Sequence, residues 1–479
     1  MTKLDQQISQ TLKKVADEQG IPSFEFPTAH VPRTSSKSGT RVPVYLLFPA
    51  TVIIALFLVS TLGTMVSPEI AAYMKSLFTE KGVDEGLQQA AQKGFSQAAG
   101  TSATDQGITL QVIEVMADSV RISIVYRLVD QGGNVLSPDQ LESYDLEITD
   151  PNGETVQNSY TLDSKYEKDY GYLITNNRIE TNDKKLILRL ATRQIGKTKG
   201  NWLVSTPFDI TKSIASSTTI PLDYTYITPQ GLQIKLTGIT HSVTATRLDY
   251  DTTWTEEAFK KLEQVGEKFA EKFERTNTVR YRPFDHHLAF RVEREKDGNV
   301  AGEVQPLSGG GHGKELGHSS RQYVYQPFIP GETYYLVLDA ITKAELFELS
   351  IPFDPKQVDK QPVKATKDDN VFQISSYGTG KGDRTEVKID AYVQGIIPYI
   401  DPKLLQLADE KGRTYRFKGS TFDYLETDEK GRRHMRAILE VEELIKPIPE
   451  KLTLSFHGIP IRYTNLGWRV PLPTYAAVE

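Results

Sequence analysis

Residues 107–128 read GITLQVIEVMADSVRISIVYRL, and this stretch decides the fold class. Apolar side chains recur at alternate positions on both sides of Asp118, which is the spacing of strands with one buried face. The pair Ala117–Asp118 interrupts the alternation and predicts the turn of a β-hairpin. From this point onward the chain is predicted to be mainly β.

The same order of strands recurs twice further along the chain. Residues 231–236 with 244–250, and more loosely residues 371–374 with 386–392, repeat the spacing of the first hairpin. Each copy ends in alternating apolar residues followed by proline, which cannot donate to a ladder: WLVSTPFD at 202–209, FELSIPFD at 347–354 and WRVPLP at 468–473. Each copy spans about 110–135 residues, and repeats of that length are whole domains. Short alternating strands with turns at this spacing are typical of immunoglobulin-like β-sandwiches.

Residues 42–66 predict a transmembrane helix. The run VPVYLLFPATVIIALFLVSTLGTM at 42–65 carries no charge, and about 20 apolar residues cross a hydrocarbon core of roughly 30 Å. A long core helix of a soluble domain is the alternative. Arg33, Lys37 and Arg41 precede the run with no acid among them, so the positive-inside rule predicts a cytoplasmic N-terminus. The expected location is the cell membrane, with a single pass and an extracytoplasmic bulk.

The predicted fold class is mainly β, with an N-terminal transmembrane helix and a helical stalk followed by three tandem immunoglobulin-like β-sandwich domains. The predicted segments are a cytoplasmic tail at 1–41, the membrane helix at 42–66, the stalk at 67–104, and sandwiches at 105–212, 218–355 and 365–474. The second sandwich is predicted to contain a helical insertion at 255–275 with one phenylalanine-rich face. We expect that face to be core, with a partner surface as the alternative.

The N-terminal tail carries the one partner site predicted from the sequence. Leu4, Ile8, Leu12 and Val15 recur at helical spacing and predict an amphipathic helix. This stripe is expected to contact a cytoplasmic protein or the inner leaflet, unless the short helix is only partly formed. The predicted partners are therefore the lipid bilayer and, as further options, a cytoplasmic sigma factor and a cell-wall polymer or other envelope ligand.

Composition excludes several kinds of chemistry. The 479 residues include no cysteine, which rules out disulfides, thiol catalysis and cysteine–zinc sites. The formal net charge of −6 indicates no general affinity for nucleic acid. No G-x-S-x-G, H-E-x-x-H or P-loop motif occurs. We therefore predict no enzyme activity, no catalytic residue and no cofactor.

A Gly-rich stretch at 308–320 contains the only arrangement that suggests a metal ligand set. His312 and His318, with Glu315 as a third ligand, could meet if this stretch were a flexible loop. The sequence offers no scaffold for that geometry. A solvated hairpin loop is the favoured interpretation, and no metal site is predicted.

A second pattern could form a cationic strand face. Basic residues alternate with aromatic ones at Arg280, Arg282, Arg291, Arg294 and Lys296, which could meet an anionic polymer. Acidic residues occur among them, so an exposed face of balanced charge is the favoured interpretation.

The run from Gly86 to Tyr126, GLQQAAQKGFSQAAGTSATDQGITLQVIEVMADSVRISIVY, resembles Firmicutes membrane proteins that carry the domain of unknown function numbered 4179. Residues 231–251, GLQIKLTGITHSVTATRLDYD, are similar to a downstream domain that those proteins often share. The resemblance implies a cell-surface location and a presumed anti-sigma or sensor role, without defined functional residues. Zinc-type anti-sigma domains need a His and Cys cluster, and this chain has no cysteine.

The function predicted from these patterns is a membrane-anchored extracytoplasmic sensor or regulator of bacterial envelope signalling, of anti-sigma type. The alternative is an envelope-anchored structural or adhesive ligand-binding module without a signalling role. A wall-modifying enzyme is a third option, and it requires a cleft with convergent carboxylates.

Overall fold

The structure is a computed structural model that describes residues 76–80, 83–159, 163–176, 179, 181, 183–273, 281–380, 382–393, 401–430 and 432–473. The chain divides into two compact units, Met1–Leu58 and Val59–Glu479, and every described residue belongs to the second. The predicted partner stripe at Leu4, Ile8, Leu12 and Val15 and the apolar stretch at 42–66 lie outside the described residues.

The expected membrane-spanning helix is not found in the described ranges. No helix there is long and apolar enough to cross a bilayer. The helix Glu256–Phe273 has 18 residues, but charged side chains interrupt it throughout. This finding overturns the predicted single-pass architecture and, with it, the predicted location in the cell membrane. That prediction depended on the hydropathy of one stretch, and none of the described helices has such a composition.

The first core lies between two antiparallel sheets. Their strands are β1 (Gln97–Asp105), β2 (Ile108–Ala117), β3 (Ile122–Asp130), β4 (Val135–Leu136), β5 (Asp145–Thr149), β6 (Thr155–Ser159), β7 (Asp163–Tyr166), β8 (Gly171–Thr175), β9 (Lys185–Ile195) and β10 (Thr198–Asp209). One sheet has the order β1-β2-β3-β8-β7, with β4 paired to β3, and the other has the order β10-β9-β5-β6. Leu110, Ile124 and Trp202 are fully buried between them.

Three further antiparallel sheets follow. Their strands are β11 (Thr218–Ile227), β12 (Leu232–His241), β13 (Thr246–Trp254), β14 (His286–Lys296), β15 (Asn299–Val304), β16 (Pro306–Glu315), β17 (His318–Tyr325), β18 (Thr333–Phe353), β19 (Val363–Lys367), β20 (Asn370–Thr379), β21 (Thr385–Val393), β22 (Leu405–Asp409), β23 (Thr414–Tyr415), β24 (Phe417–Thr427), β25 (Arg433–Val441), β26 (Leu452–Thr464) and β27 (Arg469–Leu472). The sheet orders are β11-β12-β13-β17-β16, then β15-β14-β18-β26-β22-β23 with β27 paired to β18, then β19-β20-β21-β25-β24. We call the second of these the shared sheet.

The shared sheet serves two cores, so the predicted series of three separate immunoglobulin-like sandwiches is not what forms. Strand β18 has 21 residues. Leu336 near its start packs in the second core with β12 and β13, whereas Ile351 near its end packs in the third core with β20 and β21. Register shifts opposite Ala289–Phe290 and between Leu346 and Leu349 redirect the side chains along the way. Alternation in a sequence marks the buried side chains but does not say which sheet covers them.

The last described strand returns to the second core. Strand β27 pairs with residues 334–337 of β18. Trp468, just before β27, stacks on Tyr226 with ring centroids 5.2 Å apart. The second and third cores are therefore joined by β18, by β26 and by this returning segment.

In the described ranges, three α-helices accompany the sheets: α1 (Glu85–Gln92), α2 (Thr211–Ala215) and α3 (Glu256–Phe273). Helix α3 falls within the predicted range 255–275, and its Leu262 packs in the second core. Phe269, near its end, packs against Tyr281 with ring centroids 5.1 Å apart. The apolar face of α3 is thus covered by its own chain at these positions.

The predicted helical stalk is instead a short helix packed on the first sheet. Helix α1 ends at Gln92, because Gly94 adopts a positive φ of 72° and the chain enters β1 at Gln97. Phe78 and Leu87 are fully buried against Met116, on the face of the sheet opposite the first core. A sheet apolar on both faces draws this segment into the body of the protein, overriding the helix propensity of the alanine-rich residues that form β1.

Candidate functional site

The stretch that contains His312 and His318 is a β-hairpin. Glu315 pairs with His318, and His312 pairs with Ser320, in the register of β16 and β17. Within the described ranges, no group of three or more His, Asp or Glu side chains is placed to hold a metal ion. The backbone of a regular strand pair thus replaces the loop that a metal site would have required.

The basic residues along β14 are neutralised by acids. Arg291 Nη1 lies 2.8 Å from Asp339 Oδ1, and Arg294 Nη1 lies 3.5 Å from Glu332 Oε2. Arg280 lies outside the described residues. The arginines of this strand therefore form a face of balanced charge, in which each exposed pair adds little net stability.

A cleft of about 240 Å³ opens where the second and third cores meet on the shared sheet. Its lining includes Arg282, Asp285, His286, His287, Lys343 and Lys403, which come from the start of β14, the middle of β18 and the 3-10 turn Pro402–Leu404. Pockets for small molecules usually enclose about 300 to 1,000 Å³. The cleft therefore suits a small ligand or a single unit of a longer one.

Two of the cations at the cleft have acidic partners. Lys343 Nζ lies 2.6 Å from Glu345 Oε1, and the Tyr463 hydroxyl donates to the same oxygen at 2.6 Å. Arg282 lies 3.8 Å from Asp285, and both side chains are well exposed. Lys343 is thus firmly compensated, whereas the Arg282 pair is weak because water screens it.

Three other cations beside the cleft have no carboxylate within ion-pair distance in the described part of the chain. They are Lys403, which lines the cleft, and Arg321 and Arg462, which lie next to the lining residues His286 and Thr342. Among the described residues, the guanidinium of Arg321 donates to two neutral acceptors, Ser319 Oγ at 3.0 Å and the His286 carbonyl oxygen at 3.3 Å. Lys403 is exposed, and Arg462 is half-buried. The cleft therefore carries uncompensated positive charge in a chain whose formal net charge is −6.

The imidazoles of the cleft report this positive field. Burial lowers the pKa of His287, and the charges of Arg321 and Arg462 lower it further. Arg462 pairs with Thr342, which in turn pairs with His287, so these three side chains share one face of the shared sheet. Burial, assisted by Arg321, also lowers the pKa of His286 to about 4. Both histidines are neutral at pH 7.

The imidazole of His286 is hydrogen-bonded to a hydroxyl group on one side and to a backbone carbonyl group on the other. A catalytic triad joins its nucleophile, base and orienting group in the same order. Nδ1 lies 3.0 Å from the Phe284 carbonyl oxygen, Nε2 lies 3.0 Å from Thr252 Oγ1, and Thr252 Oγ1 lies 2.7 Å from Ser319 Oγ. The carbonyl can only accept, so Nδ1 carries the proton and Thr252 donates to Nε2. Thr252 has no exposed surface, so its hydroxyl cannot reach a substrate. We infer that this row of hydrogen bonds holds His286 in place in the wall of the cleft.

A second polar cluster joins α1 to the first two cores; we call Asp84, Arg121, Asp118 and Thr244 the junction network. Arg121 Nη2 lies 2.7 Å from Asp84 Oδ1 and donates to the Thr244 carbonyl oxygen at 2.5 Å. Asp118 accepts from the backbone N–H groups of Arg121 at 3.0 Å and Thr244 at 3.0 Å. Asp118 and the Arg121–Asp84 pair are all buried. Each charged group has hydrogen-bond partners, as buried charges require, although among the described residues the buried Nε of Arg121 has none.

Helix α1 also approaches the second core through its backbone. Gly86 N–H donates to Gln326 Oε1 at 3.1 Å. A Cβ on Gly86 would lie 2.1 Å from the Thr244 carbonyl oxygen and 2.8 Å from Pro327 Cδ. Asp84 caps the same helix by accepting from Leu87 N–H at 3.1 Å. A single turn of helix is therefore held by both cores.

Sequence reasoning missed the cleft and the junction network. Lys403 and Arg462 lie far from His287 in the chain, and no spacing rule connects them. Arg121 precedes an alternating strand at a position that resembles an exposed one, yet it is 1% exposed. The only available signal was Asp118 in the predicted turn, because a turn aspartate often binds nearby backbone N–H groups.

Comparison with known proteins gives a partial relationship. Residues 46–130 match the family model described as Domain of unknown function (DUF4179). The matched range ends with β3, so it contains Asp84, Asp118 and Arg121 but not Thr244. No curated protein matches the chain. Among solved structures, the chain is similar to one described as the conserved domain protein from Bacillus anthracis, with 14% identity, 62% of this chain and 86% of that chain covered, and a TM-score of 0.37.

Proposed function

We propose that this chain is a regulatory binding protein whose β cores recognise a ligand and whose helix α1 relays the bound state to the residues before it. The junction network carries this proposal. Arg121 bonds to the cap residue of α1 and to the second core with the same guanidinium nitrogen. Any movement between the first two cores must therefore disturb the start of α1.

Helix α1 has the properties of an element that can change between a folded and an unfolded state. It has eight residues, and isolated helices of that length are unstable in water. Losing an N-cap costs about 1 kcal/mol, and breaking a buried ion pair costs about 3–5 kcal/mol. Opening the junction therefore removes a cap and an ion pair from α1 and leaves the helix held by the burial of Leu87 on the first sheet. Ligand binding that favours one arrangement of the cores would shift the population of folded α1.

The partner that we propose for the output is a protein that covers the apolar stripe Leu4, Ile8, Leu12 and Val15. Helix-in-groove recognition uses residues at this spacing. The sequence resemblance described above supports a transcription regulator of the sigma-factor class. Burial of Thr252, whose hydroxyl bonds to His286, favours binding over catalysis at this position.

Capture of partners by the full-length chain tests the proposal. We expect the wild-type chain to retain a partner that is lost with the double substitution Leu4→Asp, Leu12→Asp. The matched control is Gln6→Asp, Gln10→Asp, which adds the same charge on the opposite helical face. The substitution Arg121→Gln should change the amount retained, because it opens the junction. Identical partner sets for all four proteins would rule out the regulatory role.

A structural or adhesive module without a relay is the second candidate. The shared sheet favours it, because β18 and β26 run through two cores and make them one stiff body. Removing residues 1–30 distinguishes the two functions. Activity in cells that survives this deletion, but not loss of the third core, would support the structural role.

A further inference from the structure

We propose that the cleft on the shared sheet binds an oxyanion, a carboxylate or phosphate group, presented by a small molecule or by one unit of a linear polyanion. The inference names the class of ligand that the β cores would recognise in the proposed function. It rests on that function only for the biological role of the binding. Binding itself follows from the geometry and charge of the cleft.

Uncompensated charge is the first argument. Several arginines elsewhere are paired closely with acids, as Arg469 is with Glu293 at 3.0 Å and Arg432 with Asp428 at 2.7 Å. Arg321 and Arg462, by contrast, lie beside a concave surface without a described carboxylate partner. Guanidinium groups bind carboxylate and phosphate through paired N–H donors. A concave site lined by one sign of charge also concentrates the field at its mouth.

The arrangement of donors is the second argument. Arg462 and His287 flank Thr342 on three neighbouring strands, while Lys403 lines the cleft from the 3-10 turn Pro402–Leu404. Neighbouring strands lie about 4.8 Å apart, so Arg462 and His287 are roughly 10 Å apart at the backbone. An anionic group between them lies within reach of both long side chains. The fixed imidazole of His286 and the side chain of Lys343, which is paired with Glu345, also line the cleft.

The acids at the cleft limit what can enter. Asp401 is occupied, since its carboxylate accepts from Lys403 N–H at 2.9 Å, and Asp285 is turned to the exposed Arg282. Glu345 is bound by Lys343 and by the Tyr463 hydroxyl. Asp401 and Glu345 thus each accept from a donor of their own, whereas the pairing of Asp285 with Arg282 is weak.

The experiment is titration of the full-length protein with inorganic phosphate, citrate and polyphosphate, followed by calorimetry and by the imidazole NMR signals. The His287 signal is identified by its loss in His287→Asn. We expect saturable binding at millimolar or lower concentration, together with a raised pKa for His287, because a bound anion opposes the charges of Arg321 and Arg462. The double substitution Lys403→Gln, Arg462→Gln should weaken binding at least about tenfold, as expected for loss of two charged contacts.

The matched control is Arg193→Gln, Lys199→Gln, which removes one arginine and one lysine at exposed positions of the first core. It should bind like the wild type. Tighter binding of polyphosphate than of phosphate per site identifies a unit of a polymer as the ligand, and equal binding identifies a small anion. The inference is overturned if no anion saturates the protein, or if both double variants weaken binding equally.

The two proposals can fail separately. Hydrogen exchange at the α1 amides, with and without bound anion, measures the relay. Anion binding that leaves exchange at α1 unchanged would keep the cleft site and remove the relay. Partner capture that depends on Arg121, in a protein that binds no anion, would keep the relay and remove the cleft site.

Discussion

The guanidinium of Arg121 and the carboxylate of Asp84 form a buried ion pair at 2.7 Å, and the same guanidinium also binds the carbonyl oxygen of Thr244. Removing one partner leaves the other charge buried and unpaired. We expect Arg121→Gln and Asp84→Asn each to lower the free energy of unfolding by about 3–5 kcal/mol. The double variant should lose less than the sum. Denaturant unfolding monitored by exchange at α1 measures this coupling, and strictly additive losses would contradict it.

The substitution Gly86→Ala should have two opposing effects on stability, a gain in helix propensity and a loss from a steric clash. Alanine favours a helix over glycine by about 1 kcal/mol. Its Cβ, however, would lie 2.1 Å from the Thr244 carbonyl oxygen, and overpacking of this kind costs about 1–3 kcal/mol. Because the contact is with backbone that the junction network holds in place, we expect net destabilisation and faster exchange at α1. Gly302→Ala is the control, since nothing lies within 4 Å of that Cβ. Equal stability of the two variants would mean that α1 is not held tightly.

Acid should destabilise the fold before its carboxylates titrate. Burial lowers the pKa of His241 and of His286 to about 4, from an ordinary value of 6.5. Between these values the unfolded chain binds more protons than the folded one, so the free energy of unfolding falls as pH decreases from about 6.5 to 4. The loss for the buried His241 is on the order of 3 kcal/mol, and it is smaller for the less buried His286.

The thermal midpoint as a function of pH checks this expectation. His241→Gln should flatten the dependence within that window. Asp390 and other carboxylates with lowered pKa values add stability that is lost only at lower pH. An unchanged slope in the His241→Gln variant would contradict the assignment.

Trp468→Ala should weaken two cores at once. The indole is 8% exposed and packs in the second core, so truncation should cost about 3–5 kcal/mol. Because β18 and β26 continue into the third core, we expect exchange to accelerate at β20 and β21 as well. Leu110→Ala in the first core is the comparison and should leave those strands protected. Faster exchange confined to the second core would show that the shared sheet does not couple the stability of the second core to that of the third.

Alternation of apolar and polar residues predicts which residues form strands, and this sets how much of the fold could be predicted from the sequence. The alternating residues on both sides of Asp118 form β2 and β3, because each strand buries its apolar side chains by the same local rule. Residues 97–100 lie within the predicted helical stalk, yet β1 forms there because the edge of a sheet is available to pair with them. Local propensity is weak against such tertiary contacts.

The candidate sites were harder to predict for a related reason. Lys403, Arg462 and His287 meet only because β14, β18 and β26 are neighbours in one sheet, and strand order is not encoded in hydrophobic spacing. Arg121 has its role because Thr244 belongs to another core. Sites made by contact between distant segments leave no local pattern, whereas the covered face of α3 did leave one in the spacing of its phenylalanines.

Strand β18 also limits how this protein can be divided. A chain cut after Asp354 would keep β18 but expose the side chains that the third core covers, and it would lack the returning segment at Trp468 that closes the second core. Residues 218–473 should therefore be expressed only as one piece, so that gene fusions or recombination with a breakpoint inside this range would yield insoluble products.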